Sequence, residues 1–164
     1  MLVAAISDTH LPRGTRRIPD ACLERLRAAD LILHGGDVST LEVLEELRAL
    51  GPPVHAVYGN ADEPALRESL PKELVVDAGG ARIGMAHVPG PLAGRAGRLV
   101  KRFPGCDAVV YGHTHIPEVT RDGKVWILNP GSPTERRKAP SHTMLLLRIG
   151  RAGAIRPELL VLDP

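Results

Sequence analysis

At 164 residues the chain is long enough for one compact domain with a substantial core, and its 43% apolar residues supply that core. The only aromatics are Phe103, Trp126, Tyr58 and Tyr111, which leaves Leu, Val, Ile and Ala to build the interior and argues against base-stacking platforms. With 21 basic and 19 acidic residues the formal charge is +2, too balanced for a membrane surface or for long nucleic acid as a partner.

In chain order, short apolar runs bounded by Gly or Pro read as buried strands at Leu2 to Ile6, Leu31 to Leu33, Val54 to Tyr58, Ile83 to Ala86 and Ala108 to Tyr111. Between the first two, Ile18-Pro19-Asp20 opens a helix with Cys22, Leu23 and Leu26 on its apolar face. Ser39-Thr40-Leu41-Glu42 reads as a capping box; Val43, Leu44, Leu47 and Leu50 form a helical stripe, and Gly51-Pro52-Pro53 stops it. A weaker helical stretch spans Pro91 to Phe103, diluted by Gly94 and Gly97. Glu118 to Leu128 reads as a hairpin around Arg121-Asp122-Gly123, and His142 to Leu162 as a second pair of strands turning at Arg151-Ala152-Gly153. Asn129 to Pro140 is a long loop expected to border a site. Alternating β-α units followed by hairpins predict two packed sheets with helices outside them, in a single domain over 1–164. Cys22 and Cys106 form no CxxC pair and are expected as buried thiols. The chain enters a strand at Leu2 without a basic leader, and no apolar stretch is long enough to span a bilayer, so a cytoplasmic protein is expected.

The same strand ends deliver metal-ligand side chains repeatedly: Asp8 and His10, Asp37, Asn60, His87, and His113 and His115. Sites in open α/β sheets form at the carboxyl ends of strands, so these seven are expected to converge. Asp8 and His10 lie two apart, as do His113 and His115, so an extended exit turns each pair to one side. Imidazole, carboxylate and amide oxygen without thiolate favour Mn²⁺, Fe, Zn²⁺, Ni²⁺ or Co²⁺. Two divalent ions about 3.5 to 4 Å apart provide a nucleophile and charge compensation for phosphoester hydrolysis. They also need a bridging carboxylate, for which Asp37 is the best candidate. Gly35, Gly36, Gly59 and Gly112 flank the ligand turns, where a missing Cβ permits close approach and positive φ.

The motifs Asp8-x-His10, Gly36-Asp37, Gly59-Asn60-x-Asp62, His87 and Gly112-His113-x-His115, in this order, resemble the calcineurin-like metallophosphoesterase family. The length looks most like its small bacterial and archaeal phosphodiesterase branch, and Asn129-Pro130-Gly131-Ser132 resembles the family's late loop near the site. The resemblance implies an α/β fold of four layers, αββα, with two mixed sheets packed face to face. It implies Asp8, His10, Asp37 and His115 on a first metal, and Asp37, Asn60, His87 and His113 on a second. Asp37, Asn60 and His87 are carried as catalytic positions, with Mn²⁺ as first choice of metal. A hydroxide shared by the two ions would attack phosphorus in line with the leaving oxygen, and Asp62 would orient a ligand without binding metal. The chain departs from the family at Ala61, where many members carry a His that can protonate the leaving group, and at Val88, where Gly is usual. The expected function is therefore hydrolysis of a small or exposed phosphodiester.

Taken singly these motifs are weak, since Asp-x-His is mostly a capping or surface pair; their ordered set at strand ends is what points to metal. His34, His55 and His142 read as ordinary strand histidines, with orientation of a ligand as the alternative role for His34. Arg16, Arg17 and Arg95 can reach a phosphate but default to the surface, and Thr134-Glu135-Arg136-Arg137-Lys138 defaults to a solvated loop. The competing readings are a metal-binding interaction scaffold, because the eukaryotic retromer subunit resembles this fold, and a phosphomonoesterase. A homo-oligomer is compatible with this chain.

Overall fold

A computed structural model describes residues 1–163. Ten strands and four α-helices follow one another as β1 (Leu2–Ile6), α1 (Asp20–Arg27), β2 (Leu31–His34), α2 (Leu41–Arg48), β3 (Val54–Ala56), α3 (Pro64–Ser69), β4 (Glu73–Ala78), β5 (Ala81–Ala86), α4 (Arg95–Arg102), β6 (Ala108–Tyr111), β7 (Glu118–Asp122), β8 (Val125–Asn129), β9 (Thr143–Ile149) and β10 (Ile155–Val161). The strands form two five-stranded mixed sheets, ordered β10-β9-β1-β2-β3 and β4-β5-β6-β8-β7. Within them β1, β2 and β3 run parallel, as do β5, β6 and β8.

Side-chain alternation explains the layering. Successive residues of a strand point to opposite faces, so Val3 and Ala5 of β1 join Leu31 and Leu33 of β2 in a core shared with Ile83, Met85, Ala108 and Val110 of the second sheet. Their neighbours Ala4, Ile6 and Ile32 face outward onto Cys22, Leu26, Leu44, Leu47 and Leu66 of the helices. On the far side Val109, Tyr111 and Ile127 meet Leu99 and Phe103 at α4. The four-layer αββα sandwich follows, and a strand buried on both faces reads as an uninterrupted apolar run.

Several local expectations change. The strand run from Val54 ends at Ala56, releasing Val57 and Tyr58 into the loop that leads to Asn60. Helix α4 begins only at Arg95, because Gly94 is left-handed at φ 67° and breaks the helical path before it. The capping box at Ser39 does not form. Thr40 is the N-cap of α2, accepting from Val43 N, while Ser39 N donates to Asp62 and Leu41 N donates to Glu63. His142 lies just before β9 and pairs with Asp163 at 2.5 Å. Both cysteines are buried. Among the described residues no helix is long and apolar enough to cross a membrane.

Candidate metal centre

The parallel strands of both sheets end at the same rim. The loops after β1, β2 and β3 carry Asp8, His10, Asp37 and Asn60; those after β5 and β6 carry His87, His113 and His115. The loops are tightly wound where an extended exit was expected: Asp8, His10, Asp37, His113 and His115 all have φ between 47° and 72°. For residues other than Gly that region costs about 1–3 kcal/mol each, and it persists where the surroundings impose it.

The left-handed turns, and not an extended strand, set where these side chains point. His115 Nε2 lies 3.2 Å from His10 Nε2 and 3.3 Å from Asp8 Oδ1, with the two rings stacked. His113 turns to the other wing, its Nδ1 2.8 Å from Asn60 Oδ1 and its ring edge-on to His87. Between the wings Asp37 Oδ2 stands 3.6 Å from His10 Nε2 and 3.2 Å from His87 Nε2. His87 Nε2 is also 3.2 Å from Asn60 Oδ1. Two triads draw their ligand atoms within 4.8 Å of one another, Asp8 with His10 and His115, and Asp8 with Asp37 and His87.

Hydrogen bonds fix which nitrogen two of the imidazoles present. His87 Nδ1 donates to Gly35 O at 2.8 Å and His115 Nδ1 to Glu135 O, so both direct Nε2 into the cluster. Burial lowers the pKa of His10, of His113 and, to about 4, of His115, which keeps their lone pairs free. Burial acts to lower His87 as well, but the hydrogen bond and charge of Asp37 and the charge of Asp8 raise it. Burial pushes the Asp8 carboxyl up to about 7, against the pull of His87 and of Ser7. Burial also acts to raise Asp37, yet the His87 hydrogen bond, its charge and the Ala61 N–H bring it to about 2. Three imidazoles held neutral, His87 paired with Asp37, and two carboxylates crowded into one buried space fit divalent cations, which need deprotonated ligands and relieve the carboxylate repulsion.

Small residues make the crowding feasible. A Cβ on Gly59 would come within 2.1 Å of Asp37 Oδ1, and one on Gly36, itself at φ 94°, within 2.7 Å of His87 Nδ1. Of the four glycines expected to supply positive φ, Gly36 does; Gly35, Gly59 and Gly112 serve by close approach alone.

Around the cluster, Asp62 spends both oxygens on backbone: it accepts from Asp37 N (3.2 Å), Gly59 N (2.6 Å) and Ser39 N (2.7 Å). Arg67 of α3 donates to the carbonyls of Asn60 and Asp62, fixing the same turn. His34 is fully buried, accepts from Gly36 N at 3.2 Å through Nδ1, and therefore offers its Nε2 proton to Thr9 Oγ1 at 3.1 Å. The end of β8 and the loop after it staple the others. Ser132 Oγ donates to Asp8 O, Thr134 Oγ1 to Thr9 O, and Asn129 Nδ2 to Gly112 O. Its continuation departs from the solvated loop expected there, since Thr134 is buried and Glu135 is packed beside His10, leaving only Arg136 to Lys138 exposed. No sequence signal marked Glu135, because only the folded position of a surface-type residue brings it here.

The sequence profile of the calcineurin-like phosphoesterase superfamily domain matches residues 1–152. A probable metallophosphoesterase of Methanothermobacter thermautotrophicus is 35% identical over 150 residues, covering 89% of this chain and 85% of its own length. Vps29 of Entamoeba histolytica, solved with zinc, superposes with a TM-score of 0.77 at 27% identity, over 99% of this chain and all of that one. An archaeal phosphodiesterase superposes with a TM-score of 0.74 over 98% of this chain and all of its own; at 20% identity that likeness is one of fold.

Proposed function

The chain belongs to the calcineurin-like phosphoesterase superfamily, and from that premise we propose that it is a phosphodiesterase using two divalent ions on a small or exposed phosphodiester. The reading is supported above all by the meeting of two imidazole-carboxylate triads around Asp8, with Asp37 Oδ2 facing both His10 and His87. Asp8, His10, Asp37 and His115 would hold one ion; Asp37, Asn60, His87 and His113 the other. When bound, such a pair supplies an ionised water near neutral pH and positive charge for the phosphoryl oxygens, and Mn²⁺ is the first candidate.

The protein's own groups do the rest. Asp37 has Oδ1 committed to Ala61 N at 2.7 Å, so Oδ2 alone serves both wings. Asn60 adds a neutral oxygen to the wing of His87 and His113, which keeps that side less negative and open to an anionic substrate. Ala61 donates no side-chain proton, so protonation of the leaving oxygen would fall to water or to the substrate. General acid help is typically worth about 10²- to 10⁴-fold, and its absence favours substrates with good leaving groups.

Metal-stripped protein reloaded separately with Mn²⁺, Ni²⁺, Zn²⁺ and Mg²⁺ should cleave a chromogenic phosphodiester, with little cleavage of the matching monoester. Asp37→Ala should fall to background. Preferential monoester cleavage would replace the reading with a phosphomonoesterase. Two bound ions per chain without hydrolysis would favour a scaffold, the alternative that the likeness to Vps29 raises.

A further inference from the structure

Beside His10 the structure holds a charge arrangement that the reaction as described does not use. The Glu135 carboxylate faces two arginines, Oε1 lying 3.1 Å from Arg13 Nη1 and Oε2 3.4 Å from Arg16 Nη1. Oε2 is also 3.7 Å from His10 Nε2. Yet Oε2 and Arg16 Nη1 are both buried without a hydrogen-bond partner among the described residues. One carboxylate cannot reach Arg13, Arg16 and the His10 side together in good geometry, so Oε2 and Arg16 Nη1 face each other as an ion pair without a well-formed hydrogen bond. A phosphate, with more oxygens and higher charge, suits two guanidinium forks better.

The backbone of Glu135 is held, its N–H donating to Ser132 Oγ at 2.8 Å and its carbonyl accepting from His115 Nδ1. Only its side chain need move to vacate the arginines. Arg16 also lines a groove of about 540 Å³ together with Leu11, Ile18, Val43 and Leu47.

We propose that Arg13 and Arg16 form an anion subsite next to the His10 wing, that Glu135 fills it in the free protein, and that the substrate is a phosphodiester bearing a second, terminal phosphate that displaces Glu135. The inference rests on the phosphodiesterase reading and names its substrate class. The scissile phosphate would lie at the ligand cluster, and the second phosphate where the Glu135 carboxylate now faces Arg13 and Arg16.

The test compares the p-nitrophenyl ester of thymidine 5′-phosphate with and without a 3′-phosphate, using the metal-loaded full chain. The 3′-phosphate should lower KM at least ten-fold. In the Arg13→Gln/Arg16→Gln double variant the KM ratio of the two esters should fall to near one; Arg16→Lys should keep part of the preference, and Glu135→Gln should increase it. Calorimetric binding of thymidine 3′,5′-bisphosphate against thymidine 5′-monophosphate should show the same ranking. Equal KM values in wild type, or a preference that survives in the double variant, would overturn the subsite. Cleavage of neither ester with any metal would instead defeat the phosphodiesterase reading, and the binding comparison then decides the subsite alone: a bisphosphate preference abolished in the double variant sustains it, and no preference overturns it.

Discussion

His34 shows how one buried side chain links stability to pH. It is fully buried, its Nδ1 accepts a backbone proton from Gly36, and burial holds its pKa down at about 3. Its folded value lies below the ordinary 6.5, so its contribution is fully present above about pH 6.5 and is lost as pH falls towards 3, where the unfolded chain binds a proton that the folded chain refuses. Between pH 7 and pH 5 this one group should remove about 2 kcal/mol. Urea denaturation of chelator-treated protein should give a smaller loss over that interval for His34→Gln than for wild type; equal losses would assign the pH dependence elsewhere. Asp62 tests a different distinction. With both oxygens spent on the N–H groups of Asp37, Ser39 and Gly59, it acts on the ligand loop through backbone. Asp62→Ala should therefore cost about 1–3 kcal/mol even without metal and weaken metal binding about 10- to 100-fold. Unchanged metal-free stability together with abolished metal binding would make Asp62 a ligand.

Gly84 illustrates the same logic for elements. It lies inside β5, where glycine ordinarily weakens a strand, and a Cβ there would stand 2.5 Å from the Phe103 ring at the end of α4. The missing side chain is what lets α4 settle on the second sheet. Gly84→Ala should cost about 1–3 kcal/mol by overpacking, and Phe103→Leu in the same chain should return part of it; additive losses in urea denaturation would show that the two positions do not meet. The strands that lead to the candidate ligands were legible in the sequence because burial on both faces makes them unbroken apolar runs, and the stripe of α2 was legible for its period. Two elements escaped. Helix α3 has six residues and buries only Leu66, while β4 is an edge strand that alternates exposed Glu73, Val75 and Asp77 with Val76 and Ala78. Neither carries enough apolar pattern to be read, although α3 supplies Arg67 to the Asn60 turn. At the site, Asp8, His10 and His115 could be picked out by type and position, whereas Glu135 and the stapling by Ser132 and Thr134 depend on contacts across more than a hundred residues or on a loop's folded path.

At the scale of the molecule, the candidate ligands divide between the sheets: Asp8, His10, Asp37 and Asn60 follow strands of one, His87, His113 and His115 strands of the other. Ions held among them would tie the two sheets together at one rim, opposite the end where Gly153 packs against Gly80. Without cations the rim carries costs of its own, namely left-handed turns at five of the seven candidate ligand positions and the buried carboxylates of Asp8 and Asp37 in one space. A divalent ion binds the folded arrangement and finds no such cluster in the unfolded chain, so metal should stabilise by mass action, about 2.7 kcal/mol for a site at a hundred-fold excess over its dissociation constant. For a chain of this size that corresponds to a rise in Tm of about 5–10 °C per saturated site. Scanning calorimetry with Mn²⁺ against EDTA should show the rise in wild type. In Asp37→Ala, which removes the one oxygen facing both His10 and His87, most of the rise should vanish, and the EDTA value should itself fall, because the Ala61 N–H and His87 lose the carboxylate that they hold ionised. A Tm indifferent to metal in the wild type would mean that the cluster does not hold ions with useful affinity, and the strained turns would then need another cause.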